Sequence, residues 1–129
     1  MRVAIASTKD GLVFPGHFAH AEAYAIYELE PERGLRRIEE RANPLGSAPD
    51  LDAGGQRDVP AHGLPKYQWL RRNVLHDVDV VIAAGACQTS YAYFTSEGVK
   101  LLFTDPIEVK TIEKYISDNI NKFIEEINK

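Results

Sequence analysis

Two histidines three residues apart, His17 and His20, flank Phe18 and Ala19 in a segment that follows a short apolar run, Val3–Ser7, and a turn at Asp10-Gly11. Imidazole is the commonest metal-binding side chain, and two imidazoles at this spacing outside a helix can converge on one centre. Downstream, the apolar run Val78–Ala84 ends in Gly85-Ala86-Cys87, which puts the only cysteine of the chain just past a strand end, where a helix is expected to open. If the two strands are neighbours in one sheet, soft sulfur and borderline nitrogen ligands meet on one rim. That combination suits a metal ion or a metal cluster. His62, beside Gly63, is a further candidate ligand, although a solvated residue in a polar stretch would look the same.

The elements that must position these residues are legible from pattern. Arg2–Ser7 is a β-branched and alanine run suited to a buried strand. Ala23–Leu29 and Leu35–Arg41 flank Pro31-Glu32-Arg33-Gly34, whose proline fixes φ and whose glycine accepts φ > 0, so they read as an antiparallel hairpin. Asn43–Gly63 holds four glycines and three prolines with almost no aliphatic bulk, and is expected to be a long mobile loop that could close as a lid. Leu64–His76 follows as a helix, with Tyr67, Leu70 and Val74 inward and Lys66, Arg71 and Arg72 toward water. Val78–Ala84 is too continuously apolar for a half-exposed strand and belongs at the centre of a sheet.

Gln88–Glu97 reads as a second helix closed by Gly98, and Val99–Phe103 as the next strand. A last helix, starting near Asp105-Pro106 or at Thr111, carries Ile112, Ile116, Ile120, Phe123 and Ile127 on one stripe. The order is βββαβαβα, an α/β protein. Right-handed crossovers make the later strands parallel and place the central strand beside the first. The carboxyl edge of the strands, where α/β sheets hold ligands, then gathers His17, His20, His62 and Cys87 and leaves His76 at the opposite end.

Composition excludes several classes. At 129 residues the chain fits one domain and buries roughly two-thirds of its unfolded surface. A net charge of −4 argues against nucleic acid as a partner, since such binders carry a basic stripe. No apolar run reaches the ~18 residues of a membrane span. The strand-like start and the single cysteine, which cannot form an internal disulfide, point to a reducing cytoplasm. A nuclease would need acidic residues on the first and central strands to hold magnesium, yet Val3–Ser7 has none and Asp79 stands alone. No phosphate-binding glycine loop or nucleophile elbow occurs, so the chain reads as a binder or carrier and not as an enzyme.

Val-Ala-Ile-Ala-Ser at the start, the His17-Phe18 loop, Arg41-Ala42-Asn43-Pro44 after the hairpin, the strand from Asp77 to Ile82 and Gly98-Val99-Lys100 before the last strand together resemble the dinitrogenase iron–molybdenum cofactor-binding family, of NifX-like proteins and NifB-like C-terminal domains. The resemblance runs from Met1 to about Ile112, and its specificity lies in the joint order of short motifs. It implies a ribonuclease-H-like motif, a five-stranded mixed sheet with helices on both faces, forming a single domain over residues 1–129. It also implies a non-catalytic carrier or assembly role toward an iron–sulfur or iron–molybdenum-type cluster, with cluster donor and acceptor proteins as partners. Contact with the cofactor would fall to His17, Phe18, His20, Gly85 and Cys87, and metal ligation to His17, His20, Cys87 and His62. Two departures stand out: Ala19 replaces the family's glycine after His-Phe, and Ala84-Gly85-Ala86-Cys87 replaces a run of several glycines. A metal-free interaction module that binds a small anion or a protein on the same rim is the alternative reading. In that case Cys87 would be a small buried packing residue.

Overall fold

The first strand organises the sheet. In the computed structural model, which describes residues 1–44 and 64–128, β1 (Arg2–Ser7) pairs antiparallel with β2 (Ala23–Glu30) and parallel with β4 (Val80–Ala83). β3 (Gly34–Ala42) extends the hairpin outward from β2, and β5 (Lys100–Phe103) lies parallel to β4 on the other side. The strand order is β3-β2-β1-β4-β5, a five-stranded mixed sheet. Gly34 has φ +80°, so the glycine expected to accept a left-handed turn does so at the entrance to β3.

Helices α1 (Leu64–Asn73) and α2 (Gln88–Ser96) cover one face, and α3 (Val109–Asp118) and α4 (Ile120–Ile127) cover the other. The alternation of the strands decides which residues meet which layer. Ala4, Ala6, Tyr24, Ile26, Val81 and Ala83 pack with Tyr67, Leu70 and Phe94. Val3, Ile5, Tyr27, Val80 and Ile82 pack with Ile112, Ile116 and Phe123. Every residue of β4 is buried, as its unbroken apolar run requires of a central strand.

Three local expectations are corrected. The last helix is broken at Asn119 (φ −135°, ψ 42°), whose amide donates to the Tyr115 carbonyl at 2.9 Å and competes with the helical backbone. The apolar stripe survives the break, because Ile120 and Ile127 still lean on the same core as Ile116. Lys66, expected to face water, is only 3% exposed. Arg71 also turns inward, donating to the carbonyls of Leu75 and Val78 where the chain leaves α1 for β4. Of the expected mobile loop, Asn43 is a buried anchor, whereas residues 45–63, His62 among them, lie outside the described residues.

Opposite the candidate rim, Asp77 ties three segments together. It accepts from Arg2 and, at 2.7 and 2.9 Å, from both terminal nitrogens of Arg41, and the latter also donates to the Val74 carbonyl at 2.7 Å. The two guanidinium groups outweigh the cost of partial burial and hold the Asp77 carboxyl well below its ordinary value, Arg41 contributing most. With a folded value below the unfolded one, this stabilisation is complete above the ordinary carboxylate value of about 4 and fades as pH falls from there toward the folded value. Asp77→Asn is expected to cost about 1–2 kcal/mol at neutral pH, most of it from the bidentate pair with Arg41. The gap from wild type should narrow as denaturant melts are repeated from pH 5 downward.

Candidate functional site

The loop after β1 is fastened to the loop after β4 by backbone alone. His17 and Gly85 form a parallel bridge, and Phe18 N–H donates to the Gly85 carbonyl at 3.0 Å. A Cβ at Gly85 would stand 3.3 Å from the Gly16 carbonyl oxygen, so glycine is what allows this close approach. Phe18, expected to contact a cofactor, is instead wholly buried and packs edge-on against Phe94 at 5.1 Å, anchoring the loop from beneath.

Phe18–His20 forms a single 3-10 turn capped by His17, whose Nδ1 accepts from Ala19 N–H at 3.1 Å. A backbone N–H is always a donor, so Nδ1 carries no proton and neutral His17 holds its proton on Nε2. The underside of the turn is held by Asn43 and Tyr24. The Asn43 amide nitrogen donates to the carbonyls of Ala19 (2.9 Å) and Ala21 (2.8 Å), and the Tyr24 hydroxyl donates to the Phe18 carbonyl at 2.7 Å. Complete burial pushes the Tyr24 phenol up, so it remains a neutral donor.

Above the turn, His17 meets Cys87 through two hydroxyls. Its ring stacks on Tyr67 with centroids 5.4 Å apart, and Nε2 lies 3.2 Å from both Tyr67 Oη and Ser90 Oγ. Cys87 is the N-cap of α2: Ser90 N–H points at Sγ (3.4 Å), while Cys87 N–H reaches back to Ser90 Oγ (3.1 Å), a reciprocal capping box. Ser90 Oγ gives its own proton to the Cys87 carbonyl at 2.9 Å. With its proton given there, Ser90 can only accept, so the single Nε2 proton of His17 is shared between Ser90 Oγ and Tyr67 Oη, both at 3.2 Å, and the Tyr67 hydroxyl, as acceptor from His17, turns its own proton toward Sγ at 3.1 Å. Burial pushes the Cys87 thiol up, but the contacts from Ser90 and Tyr67 and from the α2 amides outweigh it, and the thiol sits below its ordinary value. Cys87 is half-buried, so it is both polarised and reachable.

His17 and Cys87 are thus brought together as expected. His20 lies on the same rim, its ring 5.7 Å from that of His17, with Lys66 Nζ 3.1 Å from its Nδ1. His76 sits at the far end, near Asp77. Among the described residues, no three His, Cys, Asp or Glu side chains converge as ligands for a metal ion. Tyr67, Ser90 and Lys66 were not singled out by sequence pattern as site residues. Only Ser90 left a signal, a hydroxyl three residues after the helix-opening cysteine. Tyr67 read as a core position, which its ring fills while its hydroxyl serves the rim.

Fold and rim together define a ribonuclease-H-like α/β domain with a histidine–tyrosine–cysteine constellation at the carboxyl edge of its parallel strands. The chain matches the dinitrogenase iron-molybdenum cofactor family over residues 1–126 and belongs to it. Among solved structures, a Thermotoga protein (TM1290) determined by NMR and provisionally described as a NifB protein of the DUF35 family is 25% identical, with a TM-score of 0.57 over 92% of this chain and 88% of that one. The crystal structure of PH0822 shares the fold at 19% identity, with a TM-score of 0.64 over 92% of this chain and 91% of that one. No curated protein matches the chain. Among the described residues no helix is long and apolar enough to cross a membrane.

Asn43→Ala removes one amide from beneath two buried carbonyls and should destabilise the fold by about 1–3 kcal/mol. It should also loosen the His17 turn, seen as faster amide hydrogen exchange at Ala19 and His20 with little change in β4.

Proposed function

We propose that the protein is a non-catalytic carrier or assembly factor for a metal–sulfur cluster of the nitrogenase-cofactor type, acting in the cytoplasm between cluster donor and acceptor proteins. The cluster is cargo. Family membership supports the cargo class, and the observation that carries the reading is the linkage of Cys87 Sγ to His17 Nε2 through Tyr67 Oη, at 3.1 and 3.2 Å. A half-buried thiol held below its ordinary value gives up its proton to a metal more readily than a free one and is a soft ligand for iron. The donors around it can receive the sulfides of a cluster, while the stacked ring of Tyr67 keeps His17 in place. His17 is the second contact of the cargo. To ligate a metal through Nε2 it would have to shift its proton to Nδ1 and give up the Ala19 cap; as a donor it would have to exchange the Ser90 and Tyr67 hydroxyls that now hold its Nε2–H for a sulfur of the cargo.

Anaerobic reconstitution with ferrous iron and sulfide tests this directly. The wild-type chain should acquire the broad visible absorbance of a cluster together with stoichiometric iron and sulfide. Cys87→Ser should lose it while staying folded, because serine is a favoured N-cap but oxygen replaces a soft thiolate poorly. His17→Ala should hold the cluster more weakly, and His76→Ala, at the far end, as well as wild type. Should Cys87→Ser keep its cluster and merely melt several degrees lower, Cys87 would be a packing residue and the carrier reading would fall.

A further inference from the structure

We propose that the protein self-associates through β5, two copies pairing this edge antiparallel into one continuous sheet, an inference that stands apart from the carrier reading. β5 ends the sheet on one side. Lys100 N–H donates to the Asp79 carbonyl and Thr104 N–H to the Ala83 carbonyl, both at 2.9 Å, so the even-numbered residues of the strand turn their backbone groups to β4. By strand alternation the N–H and C=O groups of Leu101 and Phe103 point the other way, and among the described residues no strand lies there to meet them. The opposite edge is guarded. β3 breaks register against β2 between Ile26 and Tyr27 and carries Arg36, Arg37, Glu39 and Glu40, features that discourage a further strand. β5 is flanked instead by apolar surface. Phe103, 52% exposed, stacks on Tyr91, 49% exposed, toward α2. Toward α3, Leu102, Ile107, Tyr115 and Phe123 line an apolar groove of about 440 Å³.

The occupant is a second copy because the edge is its own complement. A two-fold axis normal to the sheet at Leu102 sets Leu101 against Phe103 of the other copy, and each such pair exchanges both main-chain hydrogen bonds. Every outward N–H and C=O of the two residues is then met. An axis at Leu101 would need the Val99 N–H, which is already given to the Phe94 carbonyl at 2.9 Å. The Leu102 register also brings half-buried Lys100 of each copy to Thr104 and exposed Asp105 of the other, an opposite-charge contact repeated at both ends. On one face Phe103 lies against Leu101 of the second copy, beside Tyr91. On the other face the two Leu102 side chains meet at the axis and join the two grooves. Phe103, Tyr91 and Tyr115 each leave roughly 100 Å² outside. Over two copies they supply about half of the ~1,200 Å² at which specific interfaces begin, the strands and groove walls supplying the rest, so a weak dimer in the micromolar range is expected. Antiparallel pairing points the two His17–Cys87 rims to opposite ends of the joined sheet, and association leaves both open.

Sedimentation velocity from micromolar to near-millimolar protein reads the association, and amide hydrogen exchange over the same range reads the interface. Wild type should pass from monomer to dimer while the amides of Leu101 and Phe103 gain protection and those of β3 do not, readouts that need no variant. Phe103→Lys, at a half-exposed position, should weaken the dimer about tenfold or more. Lys100→Asp and Asp105→Lys should each weaken it, and the two together should restore it. In a Cys87→Ser background, Leu102→Cys should give a covalent dimer with diamide, which takes up the two hydrogens of the thiol pair. Facing residues at a non-hydrogen-bonded site lie about 4.5 Å apart, within disulfide reach, whereas Lys100→Cys would face Thr104 and should not cross-link. The inference is overturned if wild type stays monomeric at the highest concentration, if Phe103→Lys dimerises as wild type does, or if Lys100→Cys cross-links as readily as Leu102→Cys. A monomer whose Leu101 and Phe103 amides become protected only when another protein is added would overturn it too, and would make the edge a docking strand for that protein.

Discussion

Everything at the rim hangs on the close backbone contact between Gly16–Phe18 and Gly85. The loop after β1 is held to its neighbours by isolated bridges, Ser7–Val13, Leu12–Glu108 and His17–Gly85. Its far end is fixed by the hydrogen bond from Phe18 N–H to the Gly85 carbonyl. That bond exists because β1 and β4 are parallel neighbours, which makes both chains leave the sheet at the same edge. A glycine at position 85 lets them come within contact distance. A Cβ at position 85 would lie 3.3 Å from the Gly16 carbonyl oxygen and press the loop that carries His17 away by a few tenths of an ångström. The sheet therefore does more than carry the site, because its register sets the distance between histidine and cysteine.

Hydrogen-bond accounting then gives the rim its polarity. Ser90 is fully buried, gives its one proton to the Cys87 carbonyl and accepts from the Cys87 amide and from His17. Tyr67 is left to donate to sulfur. The start of α2 adds backbone amides aimed the same way, and the partial positive charge of a helix N-terminus favours the thiolate. A cysteine placed there among donors is polarised by its surroundings, whereas the same residue on an apolar helix face would be inert packing.

The two ends of the domain divide the work. At the amino-terminal edge of the parallel strands, Asp77 and two arginines close an ion-pair network that joins β1, β3 and the segment before β4. At the carboxyl edge, Asn43 and Tyr24 satisfy the carbonyls of the 3-10 turn from below, leaving its upper surface to the site. A turn so short has too few internal bonds to hold its own shape. Its rigidity is borrowed from β2 and from the end of β3, and Asn43 is where that support is supplied.

The sequence by itself determined the elements and their layering. Period-two and continuous apolar runs named the strands, the stripe through Ile112, Ile116 and Phe123 named the helical face over the sheet, and crossover handedness put His17 and Cys87 on one edge. Those are consequences of burial and chirality, which local pattern records. Family resemblance was legible in the same way, through the order of short motifs around the strands. Tertiary structure alone decided which way polar groups point once buried. Lys66 carried the mark of a solvent-facing residue and lies inside beside His20. Asn43 opened what read as a loose loop and is a buried strut, and Tyr67 serves core and rim at once. Hydrophobic pattern reports how much of a helix or strand is covered. A buried donor, however, takes the partner that its neighbours leave it, and those neighbours come from segments distant in the chain, so their choice appears only when the fold is closed.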